Sequence, residues 1–274
     1  MVNTLPDLEV ISKGQCFPLY YYEKVNPARI PGLTQLNSSD DKYVRKDAIT
    51  DVALADFQTH YRDATISKED IFYYVYGVLH SPEYREQFAS DLKKMLPRIP
   101  FAPDFRAFSR AGRDLASWHL NYETVEPYPL EEKMNNHNFS KMLPKEFFQM
   151  EAMKFAKDGK EKDKTTIFYS SRITLSGIPP EAYEYVVNGK PALEWVMERY
   201  AVMIDKDSGI KNDPNLWAED PRYILDLIKR IVRVSIETVR IIKKLPALKE
   251  SGPKKIYSPS FFGGGSIAAE GEIE

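Results

Sequence analysis

The sequence predicts an α+β protein that mixes short strands with several helices and carries a long basic helix near its C-terminus. Two runs of β-branched and aromatic residues, 165–169 and 173–175, predict strands. Apolar residues at helical spacing, most sustained over residues 221–245, predict the helices. The 274 residues are 43% apolar and 28% charged, which is typical of a globular protein with a sizeable core.

Residues 1–66 are predicted to form an N-terminal portion that is irregular and contains a few strands. Short β-like runs at residues 8–11 and 17–22 alternate with polar, turn-forming stretches. No helical period is sustained before Ile49.

Residues 67–124 are predicted to be helical. Ser67 caps a first helix together with Asp70, three residues further on. A second helix starts at Ser81, which is followed by a proline that has no backbone donor to lose, and it ends at Pro97. A third helix is predicted over residues 104–119.

Residues 125–250 are predicted to form a mixed α/β portion that ends in the long helix. Its first part reads as loops around one short helix near residues 146–155, and the lysine-rich segment 154–164 as a mobile, solvated loop. After the two strands, Pro179 and Pro180 open a helix that Asn188 and Gly189 close with a left-handed cap. Pro191 opens another helix. Residues 251–274 are predicted to be a tail.

Several classes of site are excluded by the residues present. Cys16 is the only cysteine and the four histidines are scattered, which argues against a disulfide and a zinc site. The acidic segment 205–213 has its glycine in the fifth rather than the sixth position of a calcium loop, so we interpret it as a turn joining two elements. Phosphate-loop, metalloprotease, hydrolase and amino-methyltransferase motifs are missing, so no catalytic residue, metal or cofactor is assigned to this chain.

The location of the protein is also indicated by the sequence. The longest apolar run, residues 71–79, is far shorter than the roughly 20 residues that cross a bilayer, and the N-terminus lacks the features of a signal peptide. We therefore expect a soluble, cytoplasmic protein with no membrane partner.

Charge is distributed unevenly, although the whole chain carries a net charge of only -2. Residues 222–255 contain ten basic and three acidic side chains, so this segment is +7 and the remainder is near -9. Helical spacing places Lys229, Arg233, Arg240 and Lys244 on one stripe of the long helix. Such a stripe suits the phosphates of nucleic acid; a solvated face, or one that docks on an acidic neighbour, is the alternative.

A second set of candidates lies in the loops and strands before the long helix. Arg172 stands between the two predicted strands, and an arginine pairs bidentately with guanine. Asn135, Asn136 and His137 are candidates for reading base edges, because asparagine suits adenine; turn formation is the alternative. Lys164 is a further candidate for a phosphate contact.

Several long segments resemble the C-terminal target recognition (specificity) domain of Type ISP single-polypeptide restriction-modification enzymes. The similar segments are residues 71–85, 96–101, 115–119, 174–190, 195–200, 205–210 and 220–225, and the resemblance covers most of residues 15–248. Chains of that family combine a nuclease, a helicase-like translocase, an adenine-N6 methyltransferase and a recognition domain. The resemblance here implies only the last of these, with residues 125–250 as the recognition portion.

The resemblance implies sequence-specific binding of double-stranded DNA, with the methyltransferase and translocase domains of the same system as partners. It also implies that S-adenosylmethionine, ATP and Mg²⁺ are needed only by the full enzyme. Two alternatives to a recognition module stay open. In the first, the chain is a scaffold that docks on the methyltransferase and translocase domains. In the second, it is a fragment of an active methyltransferase, helicase and nuclease.

Overall fold

The computed structural model describes residues 17–24, 43–92, 98–135 and 142–248. Contacts divide the chain into two compact units. We call residues 17–116 with 245–248 the N-terminal unit and residues 117–244 the C-terminal unit, each within the described ranges. Helices and small antiparallel sheets alternate along the chain, which confirms the predicted α+β class. The predicted strand at 8–11, the candidates Asn136 and His137, and the predicted tail lie outside the described residues.

The N-terminal unit consists of a two-stranded antiparallel ribbon followed by helices. The elements are β1 (Tyr20–Lys24), β2 (Tyr43–Asp47), α1 (Asp51–Tyr61), α2 (Lys68–His80), α3 (Pro82–Gln87), α4 (Ala89–Leu92) and α5 (Phe105–Leu120), whose residues up to Ala116 belong to this unit. Ser67 and Asp70 form the predicted capping box of α2, and Ser81 caps α3 as predicted. The start signals were local in sequence, which is why they were readable without the tertiary structure.

Three tyrosines, two buried and one half-buried, connect an extended segment to the helices of this unit. The hydroxyls of Tyr61, Tyr74 and Tyr84 donate hydrogen bonds to the carbonyls of Ala102, Pro100 and Arg98 at 2.6, 2.6 and 2.7 Å. Prolines leave such a segment with few ladder bonds of its own, so these hydroxyls supply hydrogen-bond donors to its carbonyls.

Helix α1 was not predicted from the sequence, which indicated an irregular segment there. Only Ala53 and Phe57 of its eleven residues are buried, so its apolar period is short and weak. Its boundaries are nonetheless defined locally, because the side chain of Thr50 accepts the Ala53 N–H and Arg62 ends the helix in the left-handed conformation.

The C-terminal unit is built around a four-stranded antiparallel sheet and the long helix. Its elements are β3 (Glu131–Met134), α6 (Pro144–Phe148), β4 (Lys154–Asp158), β5 (Glu161–Phe168), β6 (Ile173–Ser176), β7 (Val186–Val187), β8 (Lys190–Pro191), α7 (Ala192–Arg199), β9 (Met203–Ile204), β10 (Lys211–Asn212) and α8 (Tyr223–Lys243). The main sheet has the order β3-β6-β5-β4. Ile167 and Leu175 of its inner face share a core with Phe147 of α6 and Leu225 and Val232 of α8.

Three local predictions for this unit were wrong. The lysine-rich segment predicted as a mobile loop forms the β4–β5 hairpin, because pairing with β6 and the core residue Ile167 hold its base. Asn188 and Gly189 lie at positive φ in a two-residue turn between β7 and β8, not at the end of a helix. The short helix predicted near residues 146–155 begins and ends earlier, at Pro144–Phe148.

The helix predicted to open at Pro179 and Pro180 is only a short 3-10 helix, Pro180–Tyr183. Four other predicted elements of the unit are confirmed. Strands β5 and β6 contain the predicted runs, α7 follows Pro191, and α8 lies within the predicted range 221–245. Hydrogen bonds from the backbone and hydroxyl of Ser208 to Asp205 close the turn between β9 and β10. Within the described ranges, no helix is both long and apolar enough to cross a membrane.

Candidate nucleic-acid interface

Two of the candidate base-reading residues meet at one end of the main sheet. Asn135 directly follows β3, and Arg172 directly precedes β6, its antiparallel neighbour. The backbone N–H of Asn135 donates to the Arg172 carbonyl at 2.8 Å, and its side-chain amide donates to the Thr174 hydroxyl at 3.0 Å. Residues 37 positions apart are thus placed side by side by strand pairing, which the sequence did not reveal.

Arg172 also has a structural role. Its Nε donates to the carbonyl of Phe147 at 2.9 Å, and its Nη2 donates to the carbonyl of Gln149 at 2.7 Å. These carbonyls lie at the C-terminal end of α6, where a cation is favoured by the orphaned acceptors. The guanidinium therefore fixes the chain after α6, and Nη1 takes part in neither of these bonds.

A concave pocket with a volume of about 400 Å³ lies at this end of the sheet. Its lining consists mainly of polar and charged side chains, with one aromatic ring and one alanine: Asn135, Gln149, Glu151, Ala152, Lys154, Phe168, Ser170, Ser171 and Arg172. The concavity combines hydrogen-bonding groups suited to base edges with cations suited to phosphates.

A row of side chains crosses the outer face of the sheet beside the concavity. Strand register pairs Lys133 with Thr174, Thr174 with Phe168, and Phe168 with Lys154. Both lysines are exposed, and Phe168 between them keeps 47% of its surface exposed, whereas the preceding Ile167 is fully buried. Lys133 and Phe168 were not selected from the sequence, because their adjacency depends on strand order and register.

The predicted basic stripe of α8 is not a uniform exposed surface. Lys229 retains only 13% of its side-chain exposure and pairs with Glu132 at 2.6 Å. Arg233 is half-buried and donates through Nη2 to the Pro127 carbonyl at 3.2 Å. Arg240 and Lys244 are exposed, and Arg240 pairs with Glu237. Apolar residues on several sides of α8 are buried, so the helix passes through the core rather than along its surface.

Glu132 is the centre of an inward-facing charge cluster that the sequence did not indicate. Its carboxylate accepts hydrogen bonds from Arg222 at 2.9 and 3.1 Å and from Lys229 at 2.6 Å. Burial by itself would raise the pKa of Glu132, but the hydrogen bonds from Lys229 and Arg222 outweigh it and hold the pKa below its ordinary value. Lys229 is thereby committed to a partner within the C-terminal unit.

Lys164, the remaining candidate for a phosphate contact, lies at the base of the β4–β5 hairpin. Its Nζ pairs with Glu194 at 2.7 Å and lies 5.3 Å from the centre of the Tyr183 ring. The side chain is 46% exposed, so it is accessible although it has a partner. The assignment of DNA contacts to Lys164, Arg172, Asn135 and the α8 cations stays a prediction.

Comparison with known proteins identifies the family. The family model described as the Type ISP C-terminal specificity domain matches residues 1–227. None of the curated proteins compared with the chain matches it.

Solved structures of large enzymes contain a similar fold. The ATP-dependent Type ISP restriction-modification enzyme LlaBIII bound to DNA is 33% identical over 85% of this chain, with a TM-score of 0.68. A nuclease-deletion mutant of the Type ISP enzyme LlaGI with a DNA substrate mimic is 38% identical over 76%, with a TM-score of 0.61. The DrdV–DNA complex is 36% identical over 92%, with a TM-score of 0.71.

The chain spans only 14% of the LlaBIII and LlaGI chains and 23% of the DrdV chain. The match is therefore to one region of each larger protein. Because the family model covers most of the chain and the similarity to the solved structures exceeds 30% identity, this chain belongs to the Type ISP C-terminal specificity domain family.

Proposed function

We propose that this chain is the sequence-specific DNA recognition module of a Type ISP restriction-modification system. It binds duplex DNA and selects the site, while methylation, translocation and cleavage take place in other domains, which use S-adenosylmethionine, ATP and Mg²⁺. The observation that carries the proposal is the family match over residues 1–227, together with the DNA-bound state of its solved relatives.

The geometry of the main sheet supports this function. Arg172 and Asn135 are brought together by strand pairing beside exposed lysines and an exposed aromatic ring. We assign base reading to this end of the sheet and phosphate contacts to exposed cations such as Arg240 and Lys244. Lys229 and Arg233 are assigned to supporting positions because their side chains contact Glu132 and the Pro127 carbonyl.

Titration of a labelled mixed-sequence duplex into the chain at several salt concentrations tests the function. The association constant is expected to fall with rising salt. A plot of its logarithm against the logarithm of the salt concentration should have a slope of about -0.9 for each phosphate contact. Absence of binding to any duplex, combined with co-elution with the methyltransferase domain of the same system, would favour the docking scaffold. The exposed side chains of Ile204, Ile210 and Leu216 provide apolar surface for that alternative.

Substitution of two arginines separates base reading from phosphate contact. Arg172→Ala is expected to change the sequences selected from a randomised duplex pool, at about 1–3 kcal/mol for the base pair concerned. Arg240→Ala is expected to weaken binding to all DNA sequences equally and to reduce the magnitude of the salt slope by about 1. Arg199→Ala, at an exposed position in α7, is the control and should leave both properties unchanged. Equal losses from the first two variants, with no shift in the selected sequences, would contradict this division of roles.

A further inference from the structure

The outer half of the β4–β5 hairpin extends beyond its sheet as a ribbon two strands wide. Strand β6 pairs only with residues 166–168 of β5, whereas β4 and β5 pair with each other from Lys154 to Asp158. Gly159, at a φ of 59°, begins the two-residue turn that closes the hairpin. Residues 156–163 therefore form a projecting two-stranded ribbon, which we call the β4–β5 ribbon.

Strand register sorts the alternating charges of this ribbon onto two faces. Lys157 pairs with Lys162 on one face, while Asp158 pairs with Glu161 on the other, and Asp163 lies on the same side as these acids. All four members of the two like-charged pairs are exposed. The sequence Lys-Asp-Gly-Lys-Glu-Lys-Asp-Lys is thus not a mixed surface but a ribbon with a lysine face and an acidic face.

The lysine face continues toward the base of the ribbon. The Nζ atoms of Lys162 and Lys164 lie 6.0 and 5.9 Å from the centre of the Phe155 ring. Like charges directly opposite each other in a sheet are destabilising, so the register of Lys157 and Lys162 weakens the free ribbon. An anionic ligand on the lysine face removes that repulsion.

The width of the ribbon fits the major groove of duplex DNA. The major groove of duplex DNA is about 12 Å wide and admits a two-stranded ribbon. A four-stranded sheet measures about 14 Å between its outer strands before side chains are added, at roughly 4.8 Å per strand spacing, so the body of this sheet is too wide. The projecting β4–β5 ribbon has both the width and the charge for this groove.

We propose that the β4–β5 ribbon inserts into the major groove of duplex DNA, with Lys157 and Lys162 facing the DNA and the acidic face directed to solvent. This inference rests on the proposed function. The ribbon projects from the end of the sheet opposite Arg172 and Asn135, so it adds a second DNA contact to the base-reading site assigned there. Lysine suits both phosphates and the O6 and N7 acceptors of guanine, whereas the carboxylates of Asp158 and Glu161 are repelled by phosphates.

Paired substitutions on the two faces of the full chain test the proposal. Lys157→Ala with Lys162→Ala is expected to weaken binding of a labelled duplex about tenfold and to reduce the salt slope by about 2. The control variant, Asp158→Asn with Glu161→Gln, removes two negative charges from the same ribbon. It is expected to bind the duplex as tightly as the wild type or more tightly. The thermal midpoint of the lysine variant should be unchanged or higher, because a repulsion is removed.

Groove choice is checked by competition on the wild-type chain. Methyl green, which occupies the major groove, should displace the chain, whereas distamycin in the minor groove should not. Displacement by distamycin alone would overturn the proposal. Unchanged affinity and salt slope in the lysine variant would also overturn it and leave the proposed function intact, whereas failure of the wild-type chain to bind any duplex would overturn both.

Discussion

Replacing Gly112 by alanine is expected to lower the free energy of unfolding by about 2 to 3 kcal/mol, although alanine is the better helix former. A Cβ at Gly112 would lie 1.8 Å from the Tyr73 carbonyl oxygen, and one at Gly77 would lie 2.3 Å from the Phe108 carbonyl oxygen. Helices α2 and α5 therefore touch backbone to backbone. Because the obstructing atoms are backbone, the helices must separate to admit a methyl group.

Urea unfolding followed by far-ultraviolet circular dichroism measures this effect. Asp114→Ala, at an exposed position two residues along α5, is the matched control and should change stability by less than about 0.5 kcal/mol. An unfolding midpoint for Gly112→Ala equal to that of the control would show that α2 and α5 are not in close contact in solution.

Replacing Glu132 by alanine is expected to cost about 3 kcal/mol, because it leaves two cations without their shared partner. The side chains of Glu132 and Lys229 are only 17% and 13% exposed, and Arg222 retains a second partner in Asp226 at 3.1 Å. Lys229 therefore loses its ion-pair partner and stays as an unpaired charge that is largely shielded from water.

The loss is measurable by tryptophan fluorescence, since Trp118, Trp195 and Trp217 all belong to the C-terminal unit. Glu131→Ala removes the neighbouring carboxylate, which faces outward and accepts a hydrogen bond from Ser176, and serves as the control. Similar destabilisation by both substitutions would show that the inward-facing cluster has no special role.

The Glu132 cluster makes the free energy of unfolding depend on pH. The pKa of Glu132 is lowered in the folded protein, so its stabilisation is present above the pKa of the unfolded chain and is lost as the pH falls through the folded value. We expect wild-type stability to decline between about pH 5 and pH 3, and Glu132→Ala to show a shallower decline over the same range. Unfolding titrations across this range check the difference, and parallel curves for the two proteins would contradict it.

Local signals in the sequence were sufficient for much of the fold. The caps at Ser67 and Ser81, and the apolar period of α8, depend on residues within a few positions in the sequence, and the structure confirms each of them. Helix α1 was missed because only two of its residues are buried, and the hairpin turn at Asn188 was mistaken for a helix cap because both use the left-handed conformation.

Charge patterns were the less reliable guide to the candidate site. Helical spacing placed Lys229 and Arg240 on one stripe, but a helical period cannot show that another element covers part of the helix. Glu132 of β3 approaches Lys229, while Arg240 stays exposed. Exposure of a cation is decided by packing of residues distant in sequence, so it follows from the tertiary structure alone.

The sequence by itself determined the α+β class, most helix starts and the family to which the chain belongs, because these depend on local spacing and on long collinear motifs. The tertiary structure decided which charged and aromatic groups act together. Antiparallel pairing set Asn135 beside Arg172 and Phe168 beside Lys154, and the register of β4 with β5 separated lysines from acids that alternate along the chain. The physical reason is that a strand sends successive side chains to opposite faces, while its partners are chosen by long-range packing of the core.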